Sequence, residues 1–413
     1  MQADDTSGTA GSRLPRLWVI SELYYPEETS TGYYLTRIAE GLAGRFDVKV
    51  ICGQPTYSAR GTVAPKHEIH KEVEIYRASG TTLDKNVIPF RVMNMLTLGF
   101  SIFLHGMRRF RAGDRVLVVT TPPSMPFVIA VASLMKGAAY TLLIHDNYPE
   151  ILIASRKTKP GSILVRTMAF LNRGLYKYAT KIIVVGRDMR QLLERKTAGL
   201  DVPIASIPNW AELEAVEPRP RHENKLLAEL GLQEKLVVLY AGNMGHPNDV
   251  ESIIEAASTL QNRNELHFVF LGAGVKRRWL EEQIRSLNLT NVTLLDPRPR
   301  SEQTEFLNAG DIGLVSLVSN MVGVSMPSRT YNILAAGKPI LGIVEAGSEV
   351  AEVVKEESVG WIVKPGDSKA LTETLLDILG SPDRLAKMGE NSRNAAVEKY
   401  SLDAALEAYR REL

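Results

Sequence analysis

The 413-residue chain contains a single cysteine, Cys52. That excludes a disulfide within the chain and any zinc site built on several thiolates. Cys52 closes an apolar run, which predicts a buried structural thiol. No run reaches eighteen apolar residues, so no membrane span is expected. The nearest approach, Met93 to Met107, is broken by Asn94, Ser101 and His105 and is followed by Arg108, Arg109 and Arg111. A charge excess is missing too: 49 Lys and Arg against 47 Asp and Glu leave +2, too little to imply nucleic acid. There is no short-period repeat, no serine–histidine–acid order and no metal-ligand cluster, so a solenoid, a hydrolase triad and a metalloenzyme lack support. The first 13 residues, MQADDTSGTAGSR, have no apolar core and predict a disordered lead-in rather than a signal peptide.

What is present is a globular composition, 45% hydrophobic and 23% charged, on a chain too long for one core. Short apolar runs alternate with helical segments, which predicts an α/β protein with parallel sheets. Leu17 to Ile20, Val48 to Cys52, Val73 to Arg77, Arg115 to Thr120, Ala139 to Ile144 and Lys181 to Val185 read as strands of one doubly wound domain over residues 14–206. The rhythm restarts after a Pro- and Glu-rich connection. Leu236 to Ala241, His267 to Leu271, Val292 to Leu295, Ile312 to Leu317, Pro339 to Val344 and Trp361 to Val363 predict a second such domain over 207–385. Helices fill 386–413, expected to pack back toward the first domain, with Pro382 interrupting the helical stretch from Lys369. Two such domains facing each other create a cleft lined by strand ends.

The stretch Val322 to Ala351 carries the strongest chemical signal. Ser328 is expected to cap a helix from Arg329 to Ala336, Gly337 to end it in a left-handed conformation, and Pro339 to keep it from resuming. The helix start beside Arg329 makes a candidate phosphate site; the alternative is an ordinary capped helix with a solvated arginine. Gly242 and Gly245, then Gly272 and Gly274, follow strands and precede helices. With Arg298, Arg300 and Arg329 they suit a diphosphate, and hence a nucleotide, although neither loop is a P-loop or a dinucleotide fingerprint. In the first half, His145, Asp146, Glu150 and Glu27 or Glu28 have acid/base potential. The structural alternatives are a satisfied core histidine for His145, a loop cap for Asp146 and a turn glycine for Gly32. Met93 to Arg111 either packs on its domain or lies on a membrane surface, apolar face in lipid and arginines near anionic headgroups.

Taken in order, SELYYPEETSTGYYLTRIAEGLA, TTPPSMPF, HDNYPE, IPNW, YAGNMG, FVFLGAG, MPSRTYNILAAGKPIL and GWIVKPGD make the chain resemble the retaining family-four glycosyltransferases of the two-domain GT-B type. The nearest group resembles the bacterial colanic-acid and O-antigen enzymes that include N-acetyl-L-fucosamine transferases. The resemblance implies two Rossmann-like domains and transfer of a sugar from a nucleotide-sugar, UDP-linked, to a polyprenyl-diphosphate-linked saccharide acceptor in surface-polysaccharide assembly. It implies no metal cofactor, no nucleic-acid partner, and a cytoplasmic location with peripheral contact at the inner membrane. Gly242, Asn243, Gly245, Gly274 and Arg298 would face the donor, and Ser328 and Arg329 would hold phosphate. Gly32, Tyr33 and Glu27 would lie near the donor–acceptor junction, with His145 and Asp146 near the transferred sugar. The chain departs from the family where two glutamates eight positions apart are usual: Val324 and Asn332 stand there, Asn332 still able to bond a ribose hydroxyl. His246 and Asn248 replace the usual basic pair. Those departures keep two alternatives open, a nucleotide-sugar epimerase of the same architecture and a non-catalytic partner subunit.

Overall fold

A computed structural model of the chain describes residues 14–55, 63–83 and 87–413. The expected lead-in over 1–13 lies outside them. Fourteen strands occur among the described residues: β1 Arg16–Ile20, β2 Asp47–Cys52, β3 His67–His70, β4 Val73–Arg77, β5 Arg115–Val119, β6 Ala139–Ile144, β7 Lys181–Val184, β8 Ile204–Ser206, β9 Leu236–Ala241, β10 Leu266–Leu271, β11 Val292–Leu295, β12 Ile312–Ser316, β13 Ile340–Ile343 and β14 Gly360–Val363. They form two sheets, ordered β3-β4-β2-β1-β5-β6-β7-β8 and β11-β10-β9-β12-β13-β14. In the second sheet every resolved pairing is parallel, with Val269 level with Leu239 and Leu314 with Leu341. In the first, β1 runs parallel to β2 and β5, and only the edge strand β3 is seen to run antiparallel, to β4. The expected α/β architecture of two doubly wound parallel sheets is what the chain adopts.

Parallel strands covered on both faces read as near-continuous apolar runs, as LVVLYA does and, apart from His267, LHFVFL. Tyr240, Phe268, Phe270, Ile312 and Leu341 are buried in the second sheet's core, where helix Glu251–Thr259 contributes Ile253 and Ile254. Burial of each such side chain contributes about 1.5–3 kcal/mol. Cys52 is buried as expected, and desolvation pushes its thiol up to about 12, so it stays protonated.

The chain divides into two compact units, Met1–Thr141 with Leu413, and Leu142–Glu412. In each sheet the strand order reverses once, at β1/β5 and at β9/β12. The segments beyond β1 and β5 belong to the first unit, those beyond β9 and β12 to the second.

Three local expectations change. Ser328 is not a side-chain cap: it has φ −63° and ψ −23° and makes no capping hydrogen bond, because the chain already turns at Pro327, whose carbonyl accepts from the Thr330 amide and hydroxyl. The helix runs Arg329–Ala335, and Gly337 follows with the expected left-handed φ of +65°. Pro382 starts rather than interrupts a helix, Pro382–Glu398, since its missing N–H costs nothing in the first turn. Helix Ile163–Tyr178 has no counterpart in the sequence reading.

Candidate functional site

Open sheets of this kind bind ligands beyond the strand ends where the order reverses. In the second sheet that place is reached by the turn after β9, beginning at Gly242, and by the segment after β12, which leads to Arg329. Gly242 has φ +147°, in the region that favours glycine, and its N–H donates to the Leu271 carbonyl at 2.9 Å. The volume a Cβ would need there is taken by Arg329, whose Nη1 would be 3.2 Å away.

The Arg329 guanidinium is oriented from two sides. Its Cζ lies 4.5 Å from the centre of the Tyr240 ring, and its Nη2 donates to Asn248 Oδ1 at 2.7 Å. Its Nη1 is buried and has no hydrogen-bond acceptor among the described residues. A guanidinium held by a ring face and one hydrogen bond, with its other amino group unmet, is a preorganised donor for an anion. Asn248 also links the arginine to the glycine turn, donating from Nδ2 to the Asn243 carbonyl at 3.0 Å. That carbonyl accepts from the Tyr240 hydroxyl as well, at 2.8 Å, while the Asn243 side chain is exposed.

The remaining expected donor residues divide. Gly245 adjoins the same turn; a Cβ on it would meet Asn243 Nδ2 at 3.1 Å. Gly272 and Gly274 have a reason inside the protein. Their Cβ atoms would fall 2.0 Å from the Gly242 carbonyl oxygen and 2.4 Å from that of Met244, so they are glycines because two loops touch. Arg298 pairs with Glu302 at 3.0 Å and with Glu229 at 3.7 Å, and Arg300 pairs with the buried carboxylate of Glu212. Of the three arginines expected to supply positive charge, Arg329 alone keeps a buried nitrogen without an acceptor among the described residues. Asn332 is engaged by Glu212 at both ends of its amide, which occupies the groups that a ribose would need.

His145, Asp146 and Asn147 follow β6 and lie against the segment 323–325. Asp146 and Ser325 form an antiparallel bridge, the Asn147 N–H donates to the Val324 carbonyl at 2.8 Å, and Asn147 Nδ2 donates to the Gly323 carbonyl at 2.7 Å. Gly323, at φ +74°, gives its own N–H to Asp188 Oδ2 at 2.8 Å. The Val324 side chain is buried, so this segment presents no carboxylate where the family's usual glutamate would stand. Desolvation holds His145 down to about 4, so its ring is neutral at ordinary pH and can donate from one nitrogen only. Desolvation also raises Asp146, partly offset by a hydrogen bond from Ser325. Tyr240, Asn147, Asp188, Glu212 and Ser325 are structural partners of the site to which the sequence alone assigns no role, although Tyr240 and Asn147 lie within YAGNMG and HDNYPE.

Glu27, Gly32 and Tyr33 belong to the first unit, beyond β1. Gly32 is buried in the first turn of helix Ser30–Leu42, where Thr29 Oγ1 accepts from its N–H. A Cβ on it would lie 2.8 Å from the Glu27 carbonyl oxygen, which explains the glycine locally. Glu27 is buried and Tyr33 half-buried. Among the described residues no group of three or more His, Cys, Asp and Glu is arranged to hold a metal, and no helix is long and apolar enough to cross a membrane.

Residues 30–210 match the family described as Glycosyl transferase 4-like domain, and residues 223–395 match Glycosyl transferases group 1. The chain is 29% identical over 401 residues to the probable glycosyltransferase WbjE of Pseudomonas aeruginosa, covering 96% of this chain and 97% of that one. It is 25% identical over 380 residues to the putative colanic acid biosynthesis glycosyl transferase WcaI of Escherichia coli K12, covering 87% and 91%. In structure it is similar to sucrose-phosphate synthase from Thermosynechococcus elongatus, with TM-score 0.77 at 16% identity over 97% and 99% of the two chains. Anabaena HepE in complex with UDP gives 0.71 at 14% identity over 97% and 99%; at such identities the likeness bears on the fold alone. Two family matches in the expected order, relatives aligned nearly end to end and the doubly wound pair of sheets agree: the chain is a glycosyltransferase of family four and the GT-B fold, similar to WbjE and WcaI.

Proposed function

We propose that the chain transfers a sugar from a UDP-linked donor to a polyprenyl-diphosphate-linked saccharide, with retention at the anomeric carbon, in surface-polysaccharide assembly at the cytoplasmic face of a membrane. The observation that carries this reading is Arg329 Nη1, buried beside Gly242 without an acceptor. A diphosphate oxygen placed there would receive a charge-assisted hydrogen bond already oriented by Tyr240 and Asn248. The name of WcaI supports the transferase and polysaccharide parts and that of WbjE the transferase, while Anabaena HepE, of the same fold, is solved in complex with UDP.

In this reading the bond from the anomeric carbon to the diphosphate breaks and the acceptor oxygen bonds to that carbon from the same face. The acceptor proton passes to the departing phosphate oxygen. Negative charge grows on the diphosphate, and Arg329 with the Gly242 turn offsets it without a metal. Neutral His145 contributes a hydrogen bond to the sugar, and Asp146 fixes the turn that carries it. Helix Ile88–Arg109 exposes Met93, Leu96 and Phe100 along one side, consistent with peripheral membrane contact.

The test is incubation of the full chain with a panel of labelled nucleotide-sugars, with and without a membrane lipid extract. Label entering lipid only when extract is present, with the donor's anomeric configuration kept, is the expected result. Conversion of the nucleotide-sugar without acceptor would make the protein an epimerase. No product with any donor would reject the reading.

A further inference from the structure

Helix Ile163–Tyr178 is amphipathic in an unusual sense: one of its faces is buried and another is apolar but open. Asn172, Leu175 and Tyr176 pack inward. Ile163, Leu164, Phe170, Leu171 and Tyr178 point outward, with Ile163 85% and Phe170 77% exposed. Together with Thr167 and Gly174 they recur at helical spacing and form one continuous stripe. A lone exposed leucine needs no explanation, but five large apolar groups in one stripe do.

The charge around this stripe is one-sided. No Asp or Glu occurs between Glu150 and Asp188, a stretch with eight Lys and Arg. Two of these, Lys181 and Arg187, are neutralised by Glu412, and by Glu349 and Glu356. The other six, Arg156, Lys157, Lys159, Arg166, Arg173 and Lys177, are exposed and meet no carboxylate among the described residues. Elsewhere the chain laces surface helices with pairs such as Arg190–Glu194, Arg277–Glu281 and Arg278–Glu282. By helical spacing Arg166, Arg173 and Lys177 run along one edge of the apolar stripe, and the other three precede its first turn.

We infer that this face docks on an anionic lipid bilayer, the apolar stripe entering the headgroup boundary and the six cations meeting lipid phosphates. An apolar face rimmed by unpaired lysine and arginine is the combination that such a surface recognises. A second copy of the chain fits worse. The helix is about 24 Å long and about 10 Å across, a face of roughly 240 Å², which is small against the roughly 800 Å² per partner of a stable interface. A two-fold contact would also set the cations against themselves. The inference does not rest on the donor site, and it concerns helix Ile163–Tyr178 rather than helix Ile88–Arg109.

The experiment is flotation of the full chain with phosphatidylglycerol-containing vesicles and with neutral phosphatidylcholine vesicles. The wild type is expected to float with the anionic vesicles, less so as salt rises. The double variant Ile163→Ser/Phe170→Ser should lose at least about tenfold in binding, and Arg166→Gln/Arg173→Gln/Lys177→Gln roughly fivefold per charge removed. Both should keep the wild-type melting temperature and response to UDP. A Leu96→Ser/Phe100→Ser variant serves as the comparison on the other helix. Undiminished flotation of the two Ile163–Tyr178 variants overturns the proposal, as does equal binding to neutral vesicles. So does a wild-type dimer that Ile163→Ser/Phe170→Ser dissociates without lipid, which would assign the face to a second copy. Because UDP binding is read separately, its loss with flotation intact counts against the donor site alone.

Discussion

Asn332 and Glu212 hold each other at two points: the Glu212 N–H donates to Asn332 Oδ1 at 3.0 Å, and Asn332 Nδ2 donates to the Glu212 carboxylate at 2.5 Å. The same carboxylate forms an ion pair with Arg300, and Glu212 is buried. Asn332, where the resemblance leads one to expect a glutamate, thereby receives a carboxylate from elsewhere in the chain rather than carrying one itself.

Removing one member of this buried set leaves another uncompensated. Glu212→Ala is expected to cost about 3–5 kcal/mol, because Arg300 then loses its buried partner. Asn332→Asp should also destabilise, since it sets a carboxylate against Glu212. The double variant Glu212→Leu/Arg300→Met should lose less than the sum of its single changes. Urea unfolding of wild type, Glu212→Leu, Arg300→Met and the double variant measures this, and additive losses would show that Glu212 and Arg300 do not act as a pair.

The glycines near the turn should separate by cause. Gly272→Ala has to place a Cβ 2.0 Å from the Gly242 carbonyl oxygen at φ +146°, and a loss above roughly 3 kcal/mol is expected. Gly245→Ala comes nearest the Asn243 side-chain amide, at 3.1 Å, which can move aside, and reaches Pro247 Cδ at an ordinary contact of 3.5 Å, so its cost should stay under about 1 kcal/mol. If Gly245 faces the donor, that variant nevertheless binds UDP more weakly. Melting temperatures with and without UDP read both effects, and equal destabilisation by the two alanines would contradict the packing argument.

The fold was legible where burial is complete. β9 reads as an unbroken apolar run, and β10 as one interrupted only by His267, because both sheet faces are covered. β3, HEIH at a sheet edge with alternate residues exposed, carries no such run. Helix Ile163–Tyr178 escapes a periodicity reading because its open face is as apolar as its buried one. Arg329 and Gly242 were readable from their place after strands. The partnership of Asn332 with Glu212 spans 120 residues, and no local pattern encodes it. Gly272 and Gly274 show a further limit, since a glycine required by a neighbouring loop looks in sequence like one required by a ligand.

His267 gives the protein a stability that depends on pH. Its residue is 5% exposed, its Nε2 lies 2.8 Å from Thr293 Oγ1, and desolvation, with a smaller contribution from Lys235, holds it down to about 4. Between the usual histidine value and 4 the unfolded chain binds a proton that the folded chain does not. Stability should therefore fall as pH drops through that window, by up to about 3 kcal/mol from this residue. Denaturant melts of wild type and His267→Gln from pH 7 to 4 should converge as pH falls, and parallel curves would remove His267 as the cause.

The central claim is that a nucleoside diphosphate is held by Arg329 beside Gly242. Titration calorimetry of UDP into the wild type and into Arg329→Ala tests it most directly. Loss of a charge-assisted hydrogen bond should weaken binding roughly 10- to 100-fold, with the melting temperature of the free protein little changed. Equal affinity of the two proteins for UDP, or no binding of any nucleoside diphosphate by the wild type, would contradict the account.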